Sequence, residues 1–236
     1  MIDIQRLMET DWQWLLAING CHDLFWDGFM WVVTDTKTWI PAAVALLYVI
    51  FKNNKWPQAV MILMAVALCI TLADQFASGF CKPYFHRFRP AQEPLLQPFV
   101  HVVKGYRGGA YGFISSHAAN TFTVATFVSL LMRRQWLIVN LFCWALIPSY
   151  SRMYLGVHYP GDILCGALAG TVIAFLVYVL YVRLQRLYDE STTYISDQYT
   201  DTGYEINDIN LLHTVLLVTY FYAVVAGMVV TRSAGL

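Results

Sequence analysis

Residues 151–162 read Ser-Arg-Met-Tyr-Leu-Gly-Val-His-Tyr-Pro-Gly-Asp and stand between two long apolar runs. Proline is well placed at the first position of a helix, where its missing N–H costs nothing, so Pro160 predicts a helix starting near Tyr159 and running on through Ile163 and Leu164. His158 then sits at the mouth of that helix. Asp162, four residues on, returns to the same side after about one turn and can accept a hydrogen bond from one imidazole nitrogen. The other nitrogen is left free to act as nucleophile or base, and Arg152 supplies a fixed cation for an anionic substrate. The competing reading of the same residues is an anchor for helix ends at a membrane edge.

The surrounding composition sets the class. Of 236 residues, 58% are hydrophobic and 13% charged, and the mean hydropathy is +0.51, which points to an integral membrane protein. The 15 basic and 15 acidic residues cancel, so no global field suits a nucleic acid and any anion site must be a local cluster. No removable signal peptide is expected at the N-terminus. Cys69, Cys143 and Cys165 fall inside apolar runs as packing residues, while the topology leaves a Cys21–Cys81 disulfide open.

Six apolar runs are read as membrane helices: 39–51, 56–80, 116–132, 136–150, 160–182 and 211–230. The expected architecture is an all-α bundle of about six spans in a single membrane domain, residues 1–236. An N-terminal interfacial segment, 1–36, precedes them: Ile4, Leu7, Met8, Trp12, Leu15 and Leu16 recur with helical period, and Leu24 to Val33 continues along or dips into the surface. Asp74 lies inside the second run and needs a partner or a water-filled cavity. It is read either as a polar contact between helices or as a support for an active-site Arg. The fourth span, about 22 Å as a helix, is short against the bilayer, so its end stops at headgroup depth. Residues 187–210 form a polar segment, either a cap or a linker.

Spans two and three flank the 81–116 connection, and spans four and five flank 151–159, so these loops share one face. Lys52, Lys55, Arg133, Arg134, Arg183 and Arg186 mark the other face, which the positive-inside tendency makes cytoplasmic. The expected location of the shared face is therefore the periplasmic side of a bacterial inner membrane.

Two further clusters fall on that face. Six residues separate Lys82 from Arg89, which precedes Pro90, so a point charge and a planar donor fork can converge at the end of span two. Ser115-Ser116-His117 opens span three, where serines cap backbone N–H groups that themselves favour anions. His117, on the same side as His158, is placed to protonate a leaving oxygen. Lys104 and Arg107 are read as parts of a solvated Gly-rich loop, His22, His86, His101 and His213 as surface or packing residues, and Arg87 as near the first cluster without a defined role.

In this order, Lys82-x6-Arg89-Pro90, Ser115-Ser116-His117 and Ser151-Arg152-x5-His158-x3-Asp162 resemble the type 2 phosphatidic acid phosphatase (PAP2) superfamily, with a core over about residues 60–182. The second motif departs from the family's usual Pro-Ser-Gly-His, with Ile114 and Ser116 in place of Pro and Gly. The resemblance implies a lipid phosphatase in which His158 forms a phosphohistidine, Asp162 orients it and His117 protonates the leaving oxygen. Lys82, Arg89, Arg152, Ser115 and Ser116 would bind the phosphate. No metal or cofactor is implied. Undecaprenyl diphosphate is the first expected substrate, followed by lipid A phosphate, phosphatidylglycerol phosphate and phosphatidate. Two rivals remain: a phosphotransferase with the same motifs, and a transport or lipid-binding protein that keeps the basic pocket without catalysis.

Overall fold

The computed structural model describes residues 4–188 and 197–233. Among these, regular structure is helical: α1 (Ile4–Gly20), α2 (Leu24–Thr34), α3 (Ile40–Asn53), α4 (Trp56–Asp74), α5 (Lys82–Phe85), α6 (Ser116–Met132), α7 (Gln135–Tyr154), α8 (Pro160–Tyr188) and α9 (Ile206–Ser233). A π-helical turn, Gln75–Cys81, joins α4 to α5 without a break. Trp56–Phe85, Pro160–Leu187 and Ile206–Arg232 are long and apolar enough to cross a membrane. The remaining expected spans correspond to α3, α6 and α7, of 14, 17 and 20 residues.

One of them, α6, is more polar for a packing reason. α6 is the central helix, with Ala118, Ala119, Thr123, Phe127, Val128, Leu131 and Met132 buried. A helix enclosed by protein has no lipid to face, so small and polar residues are tolerated on every side. α8, by contrast, exposes Leu164, Leu168, Val172, Phe175 and Leu176, an apolar stripe at helical spacing that suits hydrocarbon.

Glycines set the approach of α8 to α6. A Cβ at Gly166 would strike the Ser115 carbonyl, and one at Gly170 the Ala119 carbonyl. Thr123 Oγ1 donates to the Gly170 carbonyl at 2.6 Å across the same contact. Small residues four apart allow two membrane helices to pack backbone to backbone. The Ser115 N–H then reaches the Asp162 carbonyl at 3.0 Å, so this contact also aligns the starts of both helices.

α9 closes the bundle. Its first turn meets the end of α3, where Asp208 accepts hydrogen bonds from Lys52 and Asn53 at 2.8 and 2.9 Å. It then runs back until Gly227 lies against the backbone of Phe29 on α2 and Thr231 Oγ1 donates to the Leu24 carbonyl at 2.8 Å.

Several expectations are corrected. α2 is a packed helix rather than a surface segment: Asp27, Gly28, Met30, Val32 and Val33 are buried. α7 continues past Tyr150 to Tyr154, so Arg152 belongs to its last turn instead of a loop, and 20 residues reach about 30 Å. Cys143 is exposed rather than packed, and the question of a Cys21–Cys81 pair, left open by the sequence, is answered by two free thiols, the first exposed and the second buried. In the polar segment 187–210, residues 189–196 lie outside the described residues. Tyr204, beyond them, is buried and its hydroxyl accepts a hydrogen bond from Asn54 at 3.0 Å, so this part caps the end of α3.

Candidate active site

The ends of α5, α6, α7 and α8 meet on one face. α7 terminates with Gly156 in the left-handed region at φ +69°, where a Cβ would also strike Val100. This turn lets the backbone N–H groups of Val157 and His158 reach back to the Arg152 carbonyl at 3.0 and 3.2 Å. The chain then enters α8 at Pro160, as its missing N–H predicts.

His158 is 2% exposed and Asp162 is fully buried. His158 Nδ1 faces Asp162 Oδ2 at 3.3 Å, and the same oxygen accepts the Tyr159 N–H at 3.0 Å. An Nδ1–H directed at the carboxylate leaves the Nε2 lone pair available. Burial, and after it the fields of Arg89, Arg152 and Lys82, holds the His158 imidazole well below the usual histidine range.

Each cation has its own support. Lys82 Nζ donates to Ser78 Oγ at 3.0 Å and to Ser116 Oγ at 2.5 Å. Ser78 Oγ in turn donates to Asp74 Oδ1 at 3.2 Å. The π turn carries Ser78, and such turns concentrate where a helix must present side chains differently from a regular α-helix. Asp74 thus supports Lys82 through Ser78, and not an Arg as expected.

Arg89, 8% exposed, donates through Nε to the Tyr111 carbonyl at 3.1 Å. The Gly-rich segment crosses directly over it: Gly108 has φ +65° and a Cβ there would come within 2.6 Å of Arg89 Nη1. A Cβ at Gly112 would approach Asp162 Oδ2 at 3.2 Å. The 105–112 segment is therefore a fitted cover for the site, tied down by Arg107 Nη1 donating to the Ala91 carbonyl at 2.8 Å. This corrects the reading of Arg107 as part of a freely solvated loop; Lys104 is exposed.

Arg152, 4% exposed, donates to Thr34 Oγ1 at 2.9 Å and to the Tyr106 hydroxyl at 3.1 Å. The imidazole of His117 also hydrogen-bonds the backbone of Thr34. Ser115 is fully buried and its Oγ caps α6 by accepting the Ala118 N–H at 3.4 Å. Thus the structure brings Lys82, Arg89, Ser115, Ser116, His117, Arg152, His158 and Asp162 to one place. Arg89 Nη1 and Arg152 Nε are buried and have no hydrogen-bond partner among the described residues. These donors point to an anion as the natural ligand. Among the described residues, no three His, Cys, Asp or Glu side chains converge so as to hold a metal ion.

Sequence spacing missed Thr34, Tyr106, Ser78 and Asp11, and left Arg87 without a role. Arg87 Nη1 donates to Asp162 Oδ1 at 3.0 Å and Nη2 to Asp11 Oδ2 at 2.6 Å. These residues come from separate stretches and carry no local pattern of their own. Only the polarity of Asp11 on the N-terminal helix was visible.

Comparison with known proteins agrees with this geometry. The chain is 42% identical over 187 residues to a lipid A 4'-phosphatase of Bacteroides thetaiotaomicron, covering 77% of this chain and 83% of that one. It is 34% identical over 179 residues to a lipid A 4'-phosphatase of Porphyromonas gingivalis, covering 76% of each. A crystal structure of Aquifex aeolicus LpxE superposes with a TM-score of 0.53 at 25% identity, covering 70% of this chain and 92% of that one. The family model described as the PAP2 superfamily matches residues 56–186, which hold every one of the motif residues above, and the chain belongs to that superfamily.

Proposed function

We propose that the protein hydrolyses a phosphate monoester on the headgroup of a membrane lipid through a phosphohistidine at His158, and that lipid A carrying a 4'-phosphate is its substrate. The observation that carries this reading is the buried His158–Asp162 pair facing Lys82, Arg89 and Arg152. Binding an anion needs only the cations; an imidazole oriented by a carboxylate adds a nucleophile.

In this mechanism Arg89, Arg152 and Lys82 hold the non-bridging oxygens, helped by the backbone N–H groups at the start of α6. His158 Nε2 attacks phosphorus as the bond from phosphorus to the lipid oxygen breaks. His117 gives a proton to the departing oxygen, and Asp162 balances the positive charge on the phosphorylated imidazole. Water, deprotonated by His117, then cleaves the N–P bond and releases inorganic phosphate, restoring neutral His158. Each non-bridging oxygen meets donors fixed before the substrate arrives, and such preorganisation is usually the largest part of catalysis.

The choice of lipid A over undecaprenyl diphosphate rests on the names of the two relatives. The arrangement of charge supports a site facing the periplasm of an inner membrane: Lys52, Lys55, Arg133 and Arg134 lie at the helix ends remote from His158. Phosphate release by detergent-solubilised protein, in chelator, from bis-phosphorylated lipid A, undecaprenyl diphosphate and phosphatidate tests both points. Turnover of lipid A with loss of its 4'-phosphate, absent in His158→Ala, is expected. Turnover of undecaprenyl diphosphate alone would replace the substrate, and full activity in His158→Ala would remove the nucleophile.

A further inference from the structure

Asp11 belongs to α1, outside residues 56–186 that match the family model, yet it reaches the catalytic carboxylate by two routes. Arg87 bridges Asp162 and Asp11, with 3.0 Å from Nη1 to Asp162 Oδ1 and 2.6 Å from Nη2 to Asp11 Oδ2. The other oxygen of Asp11 accepts the N–H of Gly161, the residue before Asp162, at 2.8 Å. A Cβ at Gly161 would come within 2.9 Å of Asp11 Oδ2, so any larger residue there would displace the Asp11 carboxylate. The Arg87 guanidinium also lies 3.9 Å from the centre of the Tyr159 ring. It is thereby fixed in plane by an aromatic face and at both ends by carboxylates.

We propose that Asp11 is a positioning residue for phosphoryl transfer at His158, acting through Arg87 and the Gly161 N–H on the His158–Asp162 pair. The proposal rests on the phosphatase reading above. Asp162 Oδ2 is shared between His158 and the Tyr159 N–H, so the angle of the carboxylate decides how well it meets Nδ1. Its Oδ1 is anchored by Arg87. Arg87 holds that oxygen in one place because Asp11 fixes the other arm of its fork. The N-terminal helix is therefore part of the active site, and its seating against α8 sets the aim of the nucleophile.

The test is a double-mutant cycle in kcat and KM on a lipid phosphate, using the full chain in detergent and chelator. Asp11→Asn keeps an oxygen for the Gly161 N–H and puts an amide NH2 where the carboxylate oxygen faces Arg87, removing both the charge and the acceptor there. It should lower kcat about tenfold with KM within about twofold, and Arg87→Gln should lower kcat further. The double variant should be no slower than Arg87→Gln alone, since Asp11 acts through it. Glu9→Gln, on the exposed side of the same helix, should keep wild-type kcat. Wild-type kcat in Asp11→Asn overturns the proposal. So does an equal loss in the wild-type and Arg87→Gln backgrounds, or a loss carried by KM. Should Asp11→Asn not fold, Asp11→Glu carries the same test: the charge is kept but displaced by one methylene, so kcat falls with KM unchanged, and an unaltered kcat overturns it. Activity of the wild type that His158→Ala abolishes tests the phosphatase reading separately.

Discussion

His158 is buried as a neutral base among cations, and this has a consequence for stability. An unfolded histidine titrates near 6.5, roughly, whereas the folded protein holds His158 below that range. As pH falls, the unfolded chain takes up the proton first, so this residue costs nothing above the unfolded pKa and destabilises the fold progressively below it. Thermal unfolding in detergent should therefore fall more steeply from about pH 7 to about pH 5 in the wild type than in His158→Gln; parallel curves would contradict the assignment. The partner histidine makes a different prediction. His117→Asn should lower kcat by about 10² to 10⁴ fold, the range for a lost proton transfer, and a substrate with a more acidic leaving group should recover the first release of the lipid alcohol but not kcat, since activation of water also uses His117. Lys82 depends on the hydroxyls of Ser78 and Ser116. Removing both, in Ser78→Ala with Ser116→Ala, releases a flexible cation, and KM should rise about tenfold, corresponding to about 1.4 kcal/mol. An unchanged KM would show that Lys82 does not need them.

At the scale of the elements, the site depends on how closely α6 and α8 approach. Gly166→Ala or Gly170→Ala drives a methyl group into a carbonyl of α6, and overpacking of this kind costs typically about 1–3 kcal/mol. Because the Ser115 N–H to Asp162 carbonyl bond spans the same contact, kcat should fall together with the melting temperature. A comparable change at Gly20, where a Cβ meets nothing within 4 Å, should leave kcat unaltered. The legibility of these elements from sequence differed for physical reasons. Pro160 and Ser115 have local effects at helix starts, so α8 and α6 begin where their residues predict. The extent of α7 was misjudged because Ser149, Ser151 and Arg152 are polar, yet all three are buried against other helices. The π turn was invisible, since nothing in Gln75–Cys81 departs from an ordinary apolar helix in composition. The three motifs were readable because their spacing is local, whereas Asp11, Thr34 and Tyr106 join the site only through the packing of distant segments.

For the whole molecule, the clustering of the site at one end fixes a testable orientation. α3, α4, α6, α7, α8 and α9 alternate in direction, so the starts of α6 and α8 share a face with the ends of α5 and α7, while Arg133, at the end of α6, belongs to the other. α1 packs on the site face, through Asp11 to Gly161, and the exposed Cys21 follows it directly. If the charges at the far ends follow the positive-inside tendency, as proposed above, Cys21 is expected outside and Arg133 in the cytoplasm. A chain whose other cysteines are replaced by serine or alanine reports this with a membrane-impermeant maleimide. In intact spheroplasts Cys21 should be labelled at once. Arg133→Cys, in a chain lacking all five native cysteines, should be labelled only after the membrane is permeabilised. The reverse pattern would put the phosphate site on the cytoplasmic face, and its substrate would then have to be a lipid of the inner leaflet.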